Sequence, residues 1–77
     1  MKMNARMAKV ITLRIRLNSK HEMKIVTTVD PSMSPEMVCR SYGVRGIMIS
    51  SEESNVMPLP FALNYSYRLQ KQMGIIH

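Results

Sequence analysis

Cysteine and histidine are scarce in this 77-residue chain, and their scarcity narrows the chemistry open to it. Cys39 is the single cysteine, so no disulfide can form within the chain, and a reducing, cytoplasmic setting is expected. The two histidines, His21 and His77, have neither the spacing of a metal site nor the partners of a catalytic triad. We therefore expect no metal or other cofactor and predict that the protein is not an enzyme.

Long apolar runs and glycine-rich loops are also missing. No stretch reaches the roughly eighteen apolar residues of a membrane-spanning helix, so none is predicted. Gly43-Val44-Arg45-Gly46 is too short a pattern for a phosphate-binding loop. Residues 1–8 lack the apolar segment of a secretory signal. They are predicted to form a basic, flexible arm, followed by a single domain over residues 9–77.

Basic residues outnumber acidic ones by eleven to five, which gives a formal charge of +6. Such an imbalance favours an acidic partner, which could be nucleic acid, an acidic membrane surface or an acidic protein surface. The basic residues are dispersed without a polybasic run, and a dispersed charge is also typical of an ordinary solvated surface. Charge alone does not decide between an acidic partner and an ordinary solvated surface.

An alternating pattern near the start of the chain predicts a β-hairpin. The apolar series of the first strand is Ile11, Leu13, Ile15 and Leu17, and the pattern resumes in the second strand as Met23, Ile25, Thr27 and Val29. A period of two places each series on one face of its strand. That face is expected to be buried against a hydrophobic core, whereas the other face presents Arg14, Arg16 and Lys24 to solvent.

A capped helix is predicted directly after the hairpin. Ser34 is a suitable N-cap, Pro35 suits the first helical position, and Gly43 supplies a left-handed stop after Tyr42. A third strand is predicted over residues 44–51, followed by a polar turn over residues 51–55. The two prolines in residues 56–60 allow only a short edge strand or an extended segment.

The segment from Phe61 onward fits two periodicities. Alternation favours a strand with Phe61, Leu63, Tyr65, Tyr67 and Leu69 on one face. A helical stripe is formed instead by Ala62, Tyr65, Leu69 and Met73, and periodicity alone does not decide between the two. Residues 74–77 are interpreted as a candidate final strand.

The order of predicted elements resembles the ubiquitin-like β-grasp fold. Asp30-Pro31-Ser32, followed by Cys39-Arg40, is similar to the strand-to-helix junction in the first lobe of talin-type FERM heads. The segment of residues 67–71, with Ile75 and Ile76 after it, resembles the one that enters the last strand of ubiquitin. This resemblance would make residues 63–67 a loop or turn. It implies an α+β fold with a mixed sheet of four to five strands, one short helix and a last strand parallel to the first.

The same resemblance implies a function in protein interaction. FERM-type and Ras-association relatives contact small GTPases through the edge of the second strand and the start of the helix. The matching positions here are Arg14, Arg16, Lys24 and Arg40. We therefore predict a non-enzymatic adaptor domain that binds an acidic protein surface, with a Ras- or Rap-type small GTPase as the suspected partner.

Nucleic-acid binding through the face of strands 1 and 2 is the alternative. The basic side chains could track phosphates, and tyrosines could stack on bases. However, no tyrosine alternates with the basic residues on these two strands, where a stacking platform would lie.

The predicted core lies beneath the helix, with Leu17 near the hairpin end. Its expected members are Ile11, Leu13, Ile15, Ile25, Val29, Val38, Ile47, Ile49, Leu69 and Ile75.

Overall fold

The computed structural model describes residues 6–77 and contains four strands and two helices. In chain order these are β1 (Met7–Asn18), β2 (His21–Val29), α1 (Pro35–Tyr42), β3 (Ile47–Glu53), β4 (Met57–Pro58) and α2 (Leu59–Gln72). The predicted α+β class is therefore confirmed. No helix within these residues is both long and apolar enough to cross a membrane.

The strand β1 is the centre of the sheet. It pairs with β2 along one edge, and with β3 and then β4 along the other. Leu13, for example, lies between Ile25 of β2 and Ser51 of β3. Every pairing among residues 6–77 is antiparallel, so the predicted mixed sheet was wrong in this respect.

The helix α1 covers one face of the sheet, as its capping signals predict. The Ser34 hydroxyl accepts a hydrogen bond from the Met37 amide over 3.3 Å, and Gly43 adopts a left-handed φ of 65°. Val38 of the helix packs on a buried cluster formed by Ile11, Leu13, Ile15 and Ile25. These five residues are the confirmed part of the predicted core.

The helix α2 covers the opposite face and corresponds to the helical alternative that periodicity left open. Ala62 packs against Ala8 and Val10 of β1 and Val26 of β2, with Tyr65, Leu69 and Met73 around them. The central strand thus has two apolar faces at its start, and a helix with one apolar stripe can bury the second of them. This burial decides the ambiguous periodicity in favour of the helix.

Three predictions about the ends of the domain were wrong. Residues 63–67 are helical, whereas the resemblance made them a loop or turn, and residues 74–77 form a turn and irregular backbone instead of a final strand. Met7 and Ala8 belong to β1, where they pair with β4, so the predicted arm over residues 1–8 is at least two residues too long. The rest of that arm up to residue 5 lies outside the described residues.

Several expected core residues lie elsewhere. Ile47 is 70% exposed, and Ile49, Ile75 and Leu17 are exposed as well. The register between β1 and β3 shifts at Ile49, which has no partner, and this bulge turns Met48 towards the core beside Ile15. Val29 packs at the margin of the α1-side cluster, whereas Leu69 joins the cluster on the other face.

Candidate functional site

Three of the four predicted binding residues share one surface, which we call the basic face: Arg14, Arg16 and Lys24. Arg14 lies opposite Lys24 in the hairpin register, and Arg16 lies two residues further along β1. They are on the same side of the sheet as α2, because Arg14 and Arg16 alternate with Val10 on β1, and Lys24 alternates with Val26 on β2. The packing of α2 is on Ala8, Val10 and Val26, so the basic face lies beyond it towards the hairpin turn.

One carboxylate lies among these cations. Glu22 is directly opposite Arg16, and its Oε2 accepts a hydrogen bond from Arg14 Nη2 over 2.8 Å. This bond from Arg14, helped by the charges of Arg14, Arg16 and Lys24, lowers the pKa of Glu22 below its usual range. Glu22 therefore relieves the repulsion between Arg14 and Lys24, which face each other across the strands.

The hairpin end is open to solvent. Every residue from Arg16 to Lys24 is exposed. Within residues 6–77, Arg16 and Lys24 make no ion pair, since the two that form join Lys9 to Glu53 and Arg14 to Glu22. Two positive charges thus remain available to an acidic partner, at positions that the hairpin register fixes relative to each other.

An apolar residue extends the basic face. Ile47 is the partner of Arg16 in the β1–β3 register and is 70% exposed. An exposed isoleucine beside uncompensated cations has the composition of an interface, in which an apolar anchor is flanked by polar groups. Alternation along β3 predicted Ile47 in the core, because it does not reveal the bulge two residues later. Knowledge of the β1–β3 register would have placed Ile47 beside Arg16 on the basic face.

Arg40, the fourth predicted residue, lies on the other side of the molecule. It is exposed on α1, which packs through Val38 on the face opposite to the basic face. The sheet separates Arg40 from Arg14, so the structure does not bring Arg40 onto the basic face with the other three predicted residues. The cause is the connection after β2, which carries the chain to the face that does not bear the arginines.

Among the described residues, the other side chains considered for catalysis or metal binding do not form a site. Cys39 is partly buried and packs against the α1-side cluster, as expected for a small apolar side chain. In the described part of the chain, no three residues among histidine, cysteine, aspartate and glutamate lie close enough to hold a metal ion together. The geometry of the basic face is suited to binding through charge and contact.

Comparison with known proteins assigns neither a family nor a function to the chain. No protein-family model matches the chain, and neither a curated protein nor a solved structure matches it.

Proposed function

We propose that the protein is a non-enzymatic interaction domain that binds an acidic protein surface through the basic face. The observation that carries this proposal is the pair of exposed cations Arg16 and Lys24 beside the exposed Ile47; neither cation forms an ion pair with another described residue. Cations of this kind steer an acidic partner and fix its orientation, while an apolar anchor slows its dissociation. A reducing, cytoplasmic setting, which the single cysteine favours, is part of the proposal.

A Ras- or Rap-type small GTPase is the first acidic partner to test. The resemblance to FERM-type β-grasp domains suggested it, and the order hairpin, helix, strand supports the resemblance. The antiparallel β3 beside β1, in the position of a parallel last strand, speaks against it. The partner class therefore depends on the basic face rather than on the fold.

Charge reversal tests the proposal with a matched control. The variant Arg16→Glu/Lys24→Glu changes two exposed charges of the basic face, and Arg40→Glu/Arg68→Glu changes two exposed charges elsewhere. Against a panel of GTP-loaded Ras and Rap proteins, the first variant should associate about ten-fold more slowly at low salt, and the control should resemble the parent. Equal rates for both variants would contradict the basic face, and absence of binding by the parent would exclude this partner class.

Nucleic-acid binding is the second candidate, and the shape of the hairpin end favours it. The exposed turn between β1 and β2 carries Lys20 in addition to the basic face, and a two-stranded ribbon fits the major groove of B-DNA. A fluorescence titration with single- and double-stranded oligonucleotides at two salt concentrations tests this directly. Log affinity should fall linearly with log salt, and no binding at about 50 mM salt would exclude this candidate.

A further inference from the structure

The outer edge of β2, which shares only Lys24 with the basic face, forms a groove beside that face. It is lined by β2 residues, by Tyr42 at the end of α1 and by four residues of α2, with a volume of about 420 Å³. The two helices pack on opposite faces of the sheet, yet both reach this edge. The strand edge is therefore the floor of the groove, and the two helices supply its walls.

The backbone of β2 presents hydrogen-bonding groups to this groove. The Val26 carbonyl accepts a hydrogen bond from Gln70 Nε2 over 3.3 Å, so it points away from β1. The Val10 amide and carbonyl both bond to Ser54 on the β3 side, so residues of β1 with even numbers do not bond to β2. By this alternation, the backbone groups of Lys24, Val26 and Thr28 all face outward.

The other edge of the sheet has features that discourage an added strand. It contains a bulge at Ile49, the acidic pair Glu52 and Glu53, and Pro58 in β4. Bulges, charges and proline are the usual means by which proteins protect an edge. Between Lys24 and Val29, β2 has neither proline nor a register shift.

The chemistry around the groove favours an acidic segment. Tyr67 and Leu63 are exposed at its α2 wall, and Lys71 Nζ lies 5.4 Å from the centre of the Tyr67 ring. Lys24 is exposed on the strand itself. None of the described residues that line the groove is acidic. An extended chain seated here would meet aromatic and apolar walls, with a lysine on the strand and another on the helix.

We infer that the β2 edge takes up one extended, acidic segment of a partner protein as an additional strand, between Tyr42 and Tyr67. Backbone hydrogen bonds to Val26 and Thr28 supply the affinity, and Lys24 and Lys71 select for carboxylates. The amide group of Gln70 occupies the Val26 carbonyl in the absence of a partner and moves aside when the strand binds.

A defined peptide tests the inference on the full chain. The probe is a seven-residue peptide of alternating valine and threonine with glutamate at both ends. Its controls are the same peptide with a central proline, which cannot donate a backbone hydrogen bond, and the same peptide with terminal lysines. Amide NMR spectra should show saturable shifts at Lys24, Val26 and Thr28 for the probe, none for the proline control and at least about five-fold weaker binding for the lysine control.

Three variants test whether the probe binds in this groove. Gln70→Ala should bind the probe about two- to five-fold more tightly, because the Val26 carbonyl no longer has a competing donor. Lys71→Glu should weaken binding, whereas Arg45→Glu, an exposed position just before β3 at the other edge of the sheet, should leave it unchanged. The inference is overturned if the probe gives no saturable shift at about 1 mM, if the shifts lie on β3, or if the proline control binds equally well.

Discussion

Arg14 donates a hydrogen bond to Glu22 across the hairpin, with 2.8 Å between Nη2 and Oε2. The two residues are diagonal neighbours, since Arg14 lies opposite Lys24 and Glu22 lies opposite Arg16. One carboxylate thereby moderates the charge of a face that otherwise carries three cations. The positive potential of the basic face consequently depends on the ionisation of Glu22.

Glu22→Gln should strengthen the binding of the domain to polyanions. The substitution keeps the shape of the side chain and removes its charge, so the basic face loses the carboxylate that pairs with Arg14. The variant should elute from a heparin column at higher salt than Glu36→Gln, which makes the same charge change on α1. Identical elution would show that the basic face does not contribute to polyanion binding.

The same substitution should alter the acid side of the stability profile. Because the folded-state pKa of Glu22 is lowered, its contribution is present above the unfolded-state pKa and is lost as the pH falls through the folded-state pKa. The melting temperature of Glu22→Gln should therefore fall less than that of the parent between about pH 5 and pH 3. The difference should be small, because both partners are exposed to solvent.

Leu13→Ala should strongly destabilise the domain. Leu13 is fully buried in the α1-side cluster, and such a truncation costs about 2–5 kcal/mol, a large part of the stability of a small domain. Urea unfolding followed by circular dichroism measures the loss. Ile47→Ala is the control, since Ile47 is exposed and its truncation should change stability by no more than about 0.5 kcal/mol.

Gly46→Ala should also destabilise the domain, although Gly46 is exposed. A Cβ at this position would lie 2.5 Å from the Arg16 carbonyl oxygen and 2.7 Å from Ile15 Cγ2. Because one of these atoms is backbone, the β1–β3 pairing must shift, at a cost of about 1–3 kcal/mol. Ser50→Ala, further along β3, should be nearly neutral by the same urea measurement, and equal stability of the two variants would contradict the close approach.

Deletion of residues 74–77 should leave a domain that still unfolds cooperatively. These residues belong to no strand, and their described backbone bonds run back to Lys71 and Gln70 at the end of α2. The thermal transition should shift by only a few degrees. Loss of the cooperative transition would instead mean that β1 depends on this segment, as a β-grasp arrangement requires.

The hairpin and α1 could be predicted because their signals are local. Alternation from Ile11 onward, and the sequence Ser34-Pro35 with Gly43 after the helix, each act within a few residues. Local signals could not decide whether the segment of α2 is a helix or a strand, since its residues satisfy both the helical and the strand periodicity. What decides it is Val10, far away in the chain, which needs a cover on the second face.

The basic face was predicted in part for a similar reason. Arg14, Arg16 and Lys24 come together through the hairpin register, which the alternating pattern determines. Ile47 depends on a bulge in β3, and Arg40 depends on which face α1 covers. Both are long-range properties that no local pattern of residues reports.

The central position of β1 has a consequence for the synthesis of the chain. Adjacent residues Val10 and Ile11 point into the two different hydrophobic clusters, and one cluster is completed only by α2. Among the elements of the described residues, the ribosome makes β1 first and α2 last. The hairpin can pair as it emerges, but Val10 and Val26 stay uncovered until Leu59–Gln72 has left the exit tunnel. The domain can therefore reach its native state only after synthesis of the last helix.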